Sequence, residues 1–291
     1  MNRLWVFAAA ILFSTGGAAV KGNSLTSWQV ASFRSLVAAI AMAILLPAAR
    51  KRWTWQHLIT GLAYAATLVL FVIATKLTTA ANAIFLQSTA PGYLILLSPL
   101  LLKEHLRRSD VWLLLGVGTG MALFFIAAEP ARESAPDPAT GNLVAAFSGV
   151  AWAFAVLGLR WMARRGNDGS AGQATVIVGN LLAFAIALPP ALPVTHIAAR
   201  DIAVIVFLGV FQISVAYYLL TRALEHIPAF EASILLLVEP ALNPVWTWLI
   251  LGETPARLAI AGGAIILAST LANSWWQSRN ERMVTPRAAG Y

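Results

Sequence analysis

The chain has no cysteine, which excludes disulfide staples and thiolate metal sites. It is also short of charge: 11% of its 291 residues are Asp, Glu, Lys or Arg, against about 25% in a soluble domain. No P-loop, no HExxH and no acidic cluster of metal-ligand spacing is present. The four histidines, His57, His105, His196 and His226, stand too far apart to share a metal, so no metal site and no cofactor is expected. The net charge of +8 does not point to nucleic acid, because no basic soluble domain remains once the apolar runs are set aside.

What remains is 59% hydrophobic sequence in long blocks. A bilayer crossing needs about 20 mostly apolar residues. Ten such spans are expected, at 4–21, 28–48, 56–75, 80–102, 110–128, 141–160, 172–192, 201–220, 229–251 and 257–276. Arg3 before an apolar run also fits a signal peptide, a reading that would leave nine spans. With the N-terminus in the cytoplasm, inside segments collect fourteen Lys and Arg in clusters such as Arg50–Arg52 and Arg160–Arg165. Outside segments hold five: Lys21, Lys76, Arg132, Arg200 and Arg257. That asymmetry predicts both termini inside.

The chain also reads as a duplication. A shift of 149 positions lays Pro240 on Pro91, Glu253 on Glu104 and Arg257 on Arg108. Both copies run from a small polar entry through an apolar stretch with a proline to Leu-x-Glu. The copies differ in that Lys103 stands where the second has Gly252. Five spans per copy is an odd number, so the copies must be inverted. The expected division is 1–128 and 141–278 as two repeats, 129–140 as an extracytoplasmic linker, and 279–291 as a polar cytoplasmic tail. Inverted repeats place a cargo site near the midplane.

Within this frame the ninth span carries most of the chemistry. Glu239 lies near its middle, and an acid there is by default a functional-site hypothesis. Asn243 and Trp246 share its face at i+4 and i+7. Pro240 and Pro244, with Pro91 in span four, remove backbone donors and mark hinges. Other expected lining groups are Gln87, Ser88 and Tyr93 in span four and Trp152 in span six, four residues after Ser148. In span eight Gln212 adjoins the stripe Ser214, Tyr217, Tyr218 and Thr221, spaced as one helical face. Each stripe alone also fits interhelical glue.

Arg34, six residues into span two, is read as snorkelling to the outer interface or meeting a cargo carboxylate. Lys21 and Lys76 read as interfacial anchors, and Glu104 and Glu253 as tethers to loop amides or to Arg108 and Arg257. Six of the eleven tryptophans, Trp53, Trp55, Trp112, Trp161, Trp275 and Trp276, sit near span ends as an aromatic belt. Glycines at 16–17, 116, 118, 120 and 262–263 read as close helix crossings.

On the Leu-x-Glu ends at Leu102–Glu104 and Leu251–Glu253, each after a proline-bearing span, the chain resembles the EamA family of the drug/metabolite transporter superfamily. The likeness covers about 3–278 and is close to exporters of aromatic and other neutral amino acids. It implies an all-α membrane protein of ten transmembrane helices in two inverted five-helix repeats, placed in a bacterial inner membrane. It further implies export of small neutral or zwitterionic metabolites by alternating access, with spans one, three, four, six, eight and nine around the cavity and spans five and ten as scaffold. The partners expected are a small-molecule substrate and the lipid bilayer, with a monomer as the simplest assembly. A broad-specificity drug efflux carrier, an intramembrane enzyme and a non-transporting scaffold are the alternatives.

Overall fold

A computed structural model describes residues 2–50, 53–103, 108–127, 130–164, 171–224, 226, 232 and 235–284. Among them eight helices are long and apolar enough to cross a membrane, and a shorter apolar helix spans Asp110–Ile126. These are spans one to eight and ten; span nine is described at Ala232, at Leu235–Leu237 and then as the helix Val238–Leu251, its other opening residues lying outside the described set. The protein is an all-α, multi-pass membrane protein. Large apolar side chains such as Leu4, Leu100, Trp112 and Ile126 point outward, as lipid-facing surfaces require.

Helix starts are fixed by polar caps that satisfy free amides. Thr26 accepts from the Gln29 amide at 3.2 Å, and the Gln29 side chain accepts from the Thr26 amide at 3.1 Å. Thr79 accepts from the Asn82 amide at the start of span four. Several bounds differ from the hydropathy reading. Span two stops at Leu45, before a 3-10 turn at Pro47–Arg50. Span six begins at Pro138, inside the stretch expected as linker. The rest of that stretch carries a small bridge between Arg132 and Ala135. Span ten continues helically to Val284, so the first part of the expected tail is helix.

Spans four and nine are both broken, and at equivalent places. Span four consists of Ala80–Gln87 and Ala90–Leu102, parted at Ser88–Thr89 with Pro91 in the next turn. Span nine has a turn at Leu237, with Pro240 in the first turn of Val238–Leu251. Ser88 and Leu237 are 149 positions apart. A proline is tolerated in the first turn, where its missing amide is not needed. Pro244 lies inside the continuing helix, which does not break there. Both spans end on left-handed residues, Lys103 at φ 55° and Gly252 at φ 67°. The lysine thus adopts the glycine's conformation, which costs an L-residue roughly 1–2 kcal/mol.

Small residues let helices cross closely. A Cβ on Gly120 would meet the Gly262 carbonyl at 2.8 Å, and one on Gly116 would strike Ser269, whereas Gly118 faces open space. Spans five and ten are therefore joined by every fourth residue of one face. Gly17 admits Asn243 and Ala80 in the same way, since its Cβ would lie 2.4 Å from the Asn243 Oδ1.

One end of the bundle carries three sets of polar contacts: Lys21 with Ser134 and Glu253, which also takes the Ala80 amide; Lys76 with Asn23; and Ser24 with Asp201. We call it the linker end. The chain's N-terminal residues and the tryptophan pair Trp55–Trp161, edge-to-face at 5.4 Å, lie at the other.

Candidate functional site

Below the linker end the helices part around a cavity of about 310 Å³. Its walls come from Phe13 of span one, Arg34 of span two, Tyr64 and Thr67 of span three, and Ile84, Gln87, Ser88, Ala90 and Pro91 of span four. Trp152 of span six, Gln212 and Tyr217 of span eight, and Leu236, Glu239 and Pro240 of span nine complete it, with Thr270 of span ten at one edge. Span ten, expected as scaffold, therefore contributes a lining residue, and span two contributes Arg34, in line with one of that residue's two expected roles. The broken backbone of span four lies at this wall, where irregular backbone is tolerated next to protein or water.

Nine of the residues singled out from sequence line the cavity: Arg34, Gln87, Ser88, Pro91, Trp152, Gln212, Tyr217, Glu239 and Pro240. Gln87 Nε2 donates to Ser148 Oγ at 2.7 Å, and Ser148 Oγ donates to the Thr67 carbonyl at 3.2 Å. That chain links spans four, six and three. Glu239 makes no hydrogen bond or ion pair to a described residue, and Tyr64 and Tyr217 lie within its electrostatic reach. The aromatic wall is edge-on: Phe13 meets Tyr217 at 5.1 Å and 77°, and Tyr217 meets Tyr64 at 6.1 Å and 83°. Trp152 stands 6.1 Å from Tyr64.

The other named residues lie elsewhere. Trp246 turns to span one, its Nε1 donating to Ser14 Oγ at 2.8 Å. Asn243 is buried beside Gly17 with both side-chain polar atoms unpartnered. Tyr93 directs its hydroxyl to Met121 Sδ at 3.5 Å, and Tyr218 lies under the Arg222 guanidinium, 5.6 Å from the ring centroid. Ser214 donates to the Ala38 and Gly209 carbonyls. The last bond gives the reason for its placement. Phe207–Val215 is a π-helix, bonded i to i+5, so the face computed for an α-helix is rotated there. Gln212 and Tyr217 keep the cavity while Ser214 and Tyr218 leave it.

Three expectations about charged residues need correction. Arg34 does not reach the interface; it is 2% exposed and faces the cavity. Lys21 is not an anchor in the interface but an ion-pair partner, its Nζ 2.6 Å from Glu253 Oε2 with both side chains buried; it also donates to the Ser134 carbonyl. Lys76 donates to the Asn23 carbonyl at 2.9 Å. Glu253 does cap an amide, but that of Ala80 at 2.7 Å, in span four rather than the next helix. The connection is non-local, joining a helix end of the second half to a helix start of the first. Glu104 lies outside the described residues.

Sequence reading missed Phe13, Tyr64 and Thr67. The available signal was Tyr64 itself, a lone tyrosine well inside an apolar span. By helix rise of 1.5 Å per residue, Ile84 to Gln87 lie about 6–10 Å below Ala80. The Lys21–Glu253–Ala80 cluster is thus a lid of protein on the linker side of the cavity.

Comparison with known proteins bears on this arrangement. A family model described as the EamA-like transporter family matches residues 3–126 and 139–275. Two similar relatives, each the pseudopaline exporter CntI from a strain of Pseudomonas aeruginosa, are 28% identical over 273 residues, 91% of this chain and 93% of theirs. A solved crystal structure at 20% identity superposes with a TM-score of 0.62, over 94% of this chain and 98% of its own, which shows a shared fold.

Proposed function

This chain belongs to the EamA-like transporter family, and on that premise we propose that it exports small zwitterionic metabolites, amino acids with aromatic side chains among them. The observation that carries the reading is Glu239, an acid with no hydrogen-bond or ion-pair partner among the described residues, in a cavity that five aromatic rings help to wall. A carboxylate in a low-dielectric site holds an ammonium strongly, and ring edges and faces accommodate an apolar or aromatic side chain. The volume, about 310 Å³, is at the small end of the roughly 300–1,000 Å³ typical of ligand pockets. It suits one small metabolite better than a large drug. The pseudopaline exporters support the direction of transport, since they share 28% identity over nearly the whole chain.

The chain sits in the bacterial inner membrane with both termini in the cytoplasm, as the clustering of Lys and Arg supports. The linker end is then extracytoplasmic and the described conformation is closed on that side. Two inverted repeats, 1–128 and 141–278, rock about the cavity. The equivalent breaks at Ser88 and Leu237 and the equivalent left-handed ends at Lys103 and Gly252 support that duplication.

The test is counterflow into proteoliposomes with a panel of labelled amino acids and nucleosides, with and without a pH gradient. Amino-acid counterflow is expected in the parent protein and a loss of about tenfold or more in Glu239→Gln, the scale of one charge-assisted contact. Undiminished counterflow in that variant removes Glu239 from the site. A parent protein that moves nucleosides and no amino acid refutes the cargo class.

A further inference from the structure

Arg34 is a second charged residue in the same cavity, and of its two sequence readings the structure leaves the contact with a cargo carboxylate. Its side chain is 2% exposed yet lines the cavity. One guanidinium nitrogen donates to the Leu68 carbonyl at 3.0 Å, while its Nε has no partner. No acid among the described residues pairs with it. A buried guanidinium is stable when an anion or several acceptors meet its donors, and a single carbonyl leaves most of them unmet.

Glu239 offers the obvious counter-charge but does not form an ion pair with it. Arg34 comes from span two and Glu239 from span nine, so the two charges belong to different halves. Among the described residues the fold therefore leaves an arginine and a glutamate unpaired in one small cavity.

We infer that Arg34 is the carboxylate-binding end of the cargo site, opposite an ammonium-binding end at Glu239, so that the cargo must carry a carboxylate as well as an amine. This rests on the transport reading above. Arg34 is the one Lys or Arg among the described lining residues. A lone guanidinium matches a singly charged carboxylate better than a phosphate, which carries roughly −2. Its planar fork can donate to both carboxylate oxygens at once, a geometry that lysine does not reproduce. The requirement also separates this protein from a carrier of cationic drugs, for which a buried arginine facing the cavity is repulsive.

The experiment uses full-length protein in proteoliposomes and four probes: L-phenylalanine, L-phenylalaninamide, 3-phenylpropanoate and phenethylamine. Counterflow and quenching of tryptophan fluorescence are both read. The parent protein should prefer phenylalanine over its amide by about 10- to 100-fold, the range for a charge-assisted pair in a dry site. Arg34→Gln should collapse that acid-to-amide ratio toward one. It should leave the preference for phenylalanine over 3-phenylpropanoate, which reports Glu239, largely in place. Arg34→Lys should restore part of the acid preference. Retention of the amine preference shows that the variant is folded. An unchanged acid-to-amide ratio in Arg34→Gln overturns the assignment, as does a parent protein that moves phenylalanine without distinguishing it from the amide. In both cases transport of an amine-bearing cargo stands. No movement or binding of any probe sinks the subsite and the amino-acid reading together.

Discussion

Neutralising Glu253 should open the linker end. Its carboxylate holds two groups at once: the Ala80 amide at 2.7 Å and the Lys21 ammonium at 2.6 Å. Exposure of the two charged side chains is 4% and 1%, so solvent screening takes little from the pair. Glu253→Gln keeps an oxygen for the amide but leaves a buried lysine without its counter-charge. Removing one partner of a buried pair costs about 3–5 kcal/mol, or roughly a hundredfold to several thousandfold in a conformational equilibrium. That cost is relieved if the ends of spans one, four and nine separate and let water reach Lys21. The absence of native cysteine makes the assay clean. Ser88→Cys places one thiol on the cavity wall, and a membrane-impermeant maleimide is applied from the extracytoplasmic face. Labelling should be slow in the Ser88→Cys background and at least tenfold faster with Glu253→Gln. Adding Lys21→Met should slow it again, because the orphaned charge is gone. If Glu253→Gln labels at the background rate, or if the double change labels as fast as Glu253→Gln alone, the ion pair does not close this end.

Two further outcomes follow from local geometry. Lys103→Gly relieves a left-handed φ of 55° and should raise thermal stability in detergent by about 0.5–1 kcal/mol; a lower midpoint would show that the lysine side chain contributes more than the strain costs. Along span five, Gly120→Ala should destabilise by about 1–3 kcal/mol, since its Cβ would press on the Gly262 carbonyl and Ile266. Gly118→Ala, with open space around it, should be neutral or slightly stabilising. Equal effects at the two positions in a melting experiment would contradict the crossing of spans five and ten.

Much of the architecture could be read from sequence because hydropathy and proline placement are local signals. Pro91 and Pro240 announced breaks that lie within three residues of them, and clustered basic residues announced one end of the bundle. The site was less legible wherever it depends on distant partners. Glu253 pointed to a nearby Arg257 on sequence distance alone, whereas its partners are Lys21 and Ala80, brought in by tertiary packing. Arg34 lay close enough to a span end to suggest the interface, and nothing local shows that helices close over it. Asn243 and Trp246 shared a face with Glu239 in principle, but span one packs against that face and takes both away from the cavity. Tyr64 carried a signal that was passed over, a single hydroxyl in an apolar run.

The π-helical stretch at Phe207–Val215 has a consequence for anyone mapping span eight. A segment bonded i to i+5 holds more residues in each turn than the α-helix on either side. Reactivity plotted against position along this span will not follow one sine wave. The peaks should fall out of phase across Ser214, and helical-wheel diagrams drawn from either flank will misassign the other.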